Sequence, residues 1–194
     1  MRRAISLMLS LLFLLTPCLT LAESADDLAS DLMDEAIIDF LRAALDSEPE
    51  LNYEYDEMSA TFSLLIESTG GEMGDLYTYI DVYENGVLLQ VCYETDAPED
   101  RLSELLRFIN LVNADLLGSK FYIYEETGYI FCETYLEFAL VDPGALTASA
   151  QSAFLDCLYD LLTEANFDAM YFAEILAGET GVNAFAMYFA DLAF

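Results

Sequence analysis

Asn85-Gly86 stands between two runs of alternating apolar and polar residues, and this pattern limits the chain's fold more than any other. A two-residue type I′ turn needs positive φ at both central positions, which Asn-Gly tolerates. A turn at these two residues pairs Val82 with Leu89 and Ile80 with Val91 on an apolar face. Tyr79, Asp81 and Tyr83 then lie opposite Cys92, Gln90 and Leu88 on a mixed face. Such a hairpin belongs to an antiparallel sheet with one packed face and one partly wet face. The side bearing Tyr77, Tyr79, Tyr83 and Leu88 reads either as packing beneath a helix or as a recognition surface.

The same patterning organises the rest. Residues 25–46 place Leu28, Leu32, Ile37, Phe40, Leu41 and Leu45 on one helical stripe that stops before Pro49. Strand-favouring residues follow near 51–57 and 59–68, then a glycine-rich loop at 69–74. Pro98 opens a helix with Leu102, Leu105, Leu106, Ile109, Val112 and Leu116 on one side and Gly118 as its C′ residue. Thr127-Gly128 is read as a second hairpin turn, which sets Ile123 against Cys132 and Phe121 against Thr134. Asp142-Pro143 starts a long helix with Phe154, Cys157, Leu158, Leu161, Leu162 and Ala165 inward. A separate short helix near 167–177 follows. The fold class is α+β: an antiparallel sheet of about six strands packed by helices. Its order is α-β-β-β-β-α-β-β-α, with a short helical tail.

The two ends differ from this body. Arg2 and Arg3, an apolar run over 5–15, Pro17 and a small residue at Ala22 form the pattern of a secretory signal. Residues 1–22 are therefore expected to be removed, leaving a domain at 23–178 and an apolar tail at 179–194. The expected compartment is extracytoplasmic, with no membrane insertion after cleavage. In the tail, Phe185, Met187, Tyr188, Phe189 and Leu192 either dock as a final helix or contact a partner.

Composition removes several function classes. The 194 residues include no histidine, so histidine-dependent nucleophile arrangements and the common zinc sets are excluded. No Cys-x-x-Cys, Walker loop or dinucleotide fingerprint is present, and no cofactor is expected. The formal net charge of −30 repels nucleic acid. Arg42, Arg101, Arg107 and Lys120 are the only cations beyond residue 22. Such a field either only keeps the protein soluble and monodisperse or favours basic polypeptides or divalent cations as partners. For calcium, Glu72 and Asp75 in one loop and Asp96, Glu99 and Asp100 in another are the candidate ligands. A hydrolase would need two facing carboxylates, and no pair is singled out. If one disulfide forms, Cys132 and Cys157 are the pair whose faces meet; otherwise the cysteines are small buried apolar residues.

Residues 101–178 carry a further likeness. The helix Leu105-Leu106-Arg107-Phe108-Ile109-Asn110-Leu111-Val112-Asn113 leads to Gly118-Ser119-Lys120-Phe121. Gly128-Tyr129-Ile130 and, after the long helix, Phe167-Asp168-Ala169-Met170-Tyr171 complete it. This order resembles the YbjN-like domains, which are similar in fold to type III secretion chaperones, and the likeness extends loosely over 25–178. It implies a non-enzymatic domain that binds polypeptide or a second copy of itself, with no catalytic residues to carry over.

Overall fold

The structure is a computed structural model that describes residues 35–67, 73–83, 86–137 and 148–192. Helix α1 is described over 35–46. Strands β1 (Tyr53–Asp56), β2 (Thr61–Ile66), β3 (Leu76–Tyr83) and β4 (Gly86–Asp96) follow. Helix α2 (Leu102–Asp115) leads to β5 (Lys120–Ile123), β6 (Tyr129–Glu137), α3 (Ala148–Ala177) and α4 (Gly181–Asp191). The strands form one sheet in the order β1-β2-β3-β4-β6-β5, with every pair antiparallel. The expected fold class and element order therefore hold.

Alternation decides which face is packed. Phe62, Ile80, Leu89, Val91, Tyr93, Phe121, Ile130 and Cys132 point inward and are buried. Over them lie Leu41 and Leu45 of α1, Phe108 and Val112 of α2, and Phe154, Leu158 and Phe172 of α3. Phe172 is the joint of this core. Its ring centroid lies 5.5 Å from Tyr93, 5.2 Å from Phe108 and 5.4 Å from Phe121, tying α3 to the sheet and to α2.

Both hairpins sit two residues from the expected register. Tyr83 pairs with Gly86, so Val82 faces Val87 and Ile80 faces Leu89. The expected turn residue Gly86 is instead a strand residue paired with Glu137. A Cβ there would collide with the Leu136 carbonyl oxygen, so glycine permits the approach of β6. Residues 84–85, between the paired Tyr83 and Gly86, lie outside the described residues. In the second hairpin, Phe121 faces Cys132 and Ile123 faces Ile130. The Tyr124 N–H donates to the Tyr129 carbonyl at 2.9 Å, and the Gly128 N–H donates to the Tyr124 carbonyl at 2.8 Å. The loop therefore encloses residues 125–128, with Gly128 at φ +77°. A shift of two residues preserves the faces, because side chains alternate with period two.

Other expectations are corrected. The helix after Pro98 begins at Leu102 and ends with Leu116 extended, and Gly118 has no positive φ. Leu105, Ile109 and Val112 of the expected stripe are buried, but Leu106 is exposed and Phe108 is fully buried in its place, because β5, α3 and α4 wrap the Phe108 side of the helix. The long and short C-terminal helices are one helix, α3, because no glycine or proline interrupts residues 148–177. It stops at Gly178, whose φ of +123° and N–H bond to the Ile175 carbonyl close the last turn. The expected starts of the first helix, at residue 25, and of α3, at Asp142-Pro143, lie outside the described residues. Cys92, Cys132 and Cys157 are all unbonded: Cys157 is half-buried at a cleft rim, and Cys132 is buried beneath the helices.

Candidate functional site

The face of the sheet turned away from the core carries no helix among the described residues. Tyr77 and Tyr79 on β3, Tyr83 at its end, Tyr122 on β5 and Phe131 and Tyr135 on β6 form an aromatic field there. Tyr83 and Tyr135 are each 50% exposed. Their rings meet edge to face at 6.4 Å, while Tyr122 stacks on Phe131 at 5.3 Å. Gln90 of β4 holds the centre, its amide donating to the Tyr122 hydroxyl at 2.7 Å and to the Glu133 carboxylate at 3.2 Å. At the β2–β3 side the Thr61 hydroxyl donates to Asp81 at 2.7 Å. Rings, hydroxyls and carboxylates thus share one surface. Among the described residues no helix packs on the Tyr77 side, so the reading of it as packing beneath a helix is not met there.

The cations are held elsewhere. Lys120 begins on this side of β5, but its ammonium donates to the Asn113 and Leu116 carbonyls at 2.8 and 2.6 Å, at the C-terminal end of α2. Arg42 lies 4.7 Å over the Tyr55 ring, and Arg101 donates to the Ile175 and Glu179 carbonyls. Arg107 stands 3.6 Å from Glu104. The β5 edge is also closed. Asn113 accepts from the Phe121 N–H at 2.8 Å and donates to its carbonyl at 2.7 Å, occupying the groups that another strand would use.

A second exposed region is α4. It docks through Gly181, Ala184 and Tyr188, with the Thr180 side chain accepting from the Asn183 N–H at its N-terminus. Among the predicted contact residues, Met187, Phe189 and Leu192 are exposed and Phe185 is half-buried against Tyr188. Tyr188 points inward, within 6.2 Å of Phe108 and 5.6 Å of Tyr171, and is a docking residue of the helix itself. Burial and nearby carboxylates raise its hydroxyl pKa to about 12.

The buried polar groups lie between the sheet and α3. Asp168 has no exposed surface, and neither carboxylate oxygen has a hydrogen-bond partner. Burial, then the Glu164 carboxylate one turn earlier, raises its pKa to about 8. Ser119 donates to Glu164, and the Tyr93 hydroxyl donates to the Ala165 carbonyl at 2.6 Å. The sequence marks Asp168 only as part of the Phe167–Tyr171 run; its place on the buried arc of α3 is the signal that sets it apart.

Chemistry of the other expected kinds has little geometric support. Asp156, Asp160 and Glu164 line one wall of a cleft of about 460 Å³, with Ser119 and Thr134 opposite and no carboxylate among the lining residues from another element. Among the described residues no group of three acids or cysteines could hold a metal ion. The Asp75 N–H donates to the Glu94 carboxylate at 3.2 Å. Glu72 lies outside the described residues. Burial raises the Cys92 thiol to about 11 and raises Cys132 further, so neither is a ready nucleophile.

Fold and surface together define a class: a single-sheet α+β domain with helices on one side and an open aromatic face on the other. The chain belongs to the YbjN family, described as "Putative bacterial sensory transduction regulator", whose model matches residues 34–172. No curated protein and no solved structure matches it.

Proposed function

We propose that this protein is an exported, non-catalytic regulator that acts by binding polypeptide, with the open aromatic sheet face as its contact surface. The uncovered rings of Tyr83 and Tyr135, in a molecule whose other sheet face is fully packed, carry this reading. Tyrosine supplies large amphipathic contact area at low entropic cost, which suits protein recognition. The family's description as a regulator of sensory transduction supports the same class of action. The signal-like residues 1–22 support a site of action outside the cytoplasm, while the exposed apolar side of α4 belongs to the helical layer and is a separate surface.

Site-specific photocrosslinking tests the proposal. A photoreactive phenylalanine analogue replaces Tyr135 in the producing cell, and Tyr159 on the helical side serves as control. Position 135 is expected to give a discrete polypeptide adduct and position 159 none. No adduct from 135, or equal smears from both, counts against a specific contact there.

A further inference from the structure

We propose that the open sheet face receives a basic polypeptide segment, and that it selects arginine over lysine by seating guanidinium groups on tyrosine rings beside carboxylates. This rests on the reading of the protein as a polypeptide-binding regulator and adds the partner's chemistry.

Three observations carry it. The face combines ring faces with acids: Asp81 stands between Tyr79 and Tyr83 along β3, and Glu133 stands between Phe131 and Tyr135 along β6. Its only lysine is turned away to the end of α2, so among the described residues no cation on the face itself satisfies those charges. The molecule also shows the intended contact in miniature, where Arg42 lies 4.7 Å over the Tyr55 ring on the helical side of the sheet. A guanidinium is planar and weakly hydrated, so it stacks on a ring while its edge donates to a carboxylate; an ammonium does only the second well. The overall charge of −30 adds attraction for any basic chain and speeds its encounter. That field alone does not distinguish arginine from lysine.

The test uses three labelled peptides of one length and spacing, bearing arginine, lysine or the neutral isostere citrulline. They are titrated against the full chain at roughly 150 mM salt, where distant charges are screened. Arginine peptide is expected to bind about tenfold more tightly than lysine peptide, with citrulline peptide weaker still. Tyr83→Ser and Tyr135→Ser, both at exposed positions, are each expected to weaken the arginine peptide about fivefold, and Tyr159→Ser to leave it unchanged. Equal binding of arginine and lysine peptides, or binding indifferent to Tyr83 and Tyr135, overturns the proposal. Preferred binding of the citrulline peptide at Tyr83 and Tyr135 overturns it too, while leaving the polypeptide-binding reading intact. Failure of all three peptides overturns it as well; the crosslinking result then decides the broader reading by itself.

Discussion

Asp168 shows how far one side chain departs from its ordinary chemistry. Its pKa of about 8 means that the folded protein keeps a proton there that the unfolded chain releases near pH 4. Unfolding therefore releases a proton between those values, and stability falls as pH rises from about 4 to about 8, then levels. The size of that fall is on the order of a few kcal/mol. Other acids also repel more strongly as they ionise, so the variant Asp168→Asn isolates the contribution of this site. Denaturant unfolding at pH 5 and pH 8 is expected to show a smaller loss for the variant, and a more stable variant at pH 8. Equal slopes for the two proteins contradict a buried proton on Asp168.

At the scale of elements, Gly86 and Gly181 set how closely neighbours approach. Gly181 begins α4 where an added Cβ would collide with the Glu104 carbonyl oxygen and crowd the Phe108 N–H. Its own N–H donates to the Glu104 carboxylate at 2.8 Å. Gly181→Ala is expected to lift α4 from α2 and cost about 1–3 kcal/mol in denaturant unfolding. Gly118→Ala, with nothing within 4 Å of the added methyl, is expected to stay within about 0.5 kcal/mol of the parent. Equal losses for both would deny that α4 is seated by close approach. These glycines also mark the limit of what the sequence disclosed. Alternation at Ile80, Leu89 and Cys132 assigned the sheet faces correctly, because period two survives a slip of two residues. Register did not follow, because Gly86 had the look of a turn residue while the backbone of β6, distant in sequence, governs its place. The open aromatic face was half legible: the tyrosines on β3 were apparent, but Tyr135 and Phe131 join them only once β6 inserts between β4 and β5.

Over the whole molecule, charge and uncovered surface act together. A net charge of −30 repels itself within a compact body, and salt screens that repulsion over about 10 Å at 0.1 M. The melting temperature is accordingly expected to rise between roughly 10 and 150 mM sodium chloride; a fall or no change would mean that specific ion pairs outweigh general repulsion. The same charge keeps copies apart while leaving an aromatic surface free for a cationic partner. That surface makes the account directly measurable through tyrosine modification mapped by mass spectrometry, on the purified protein and on the protein in its own compartment. Tyr83 and Tyr135 are expected to be modified in isolation and protected in place, while Tyr159 on the helical side reacts in both. Equal modification of Tyr83 and Tyr135 in the two settings would contradict a partner on the sheet face.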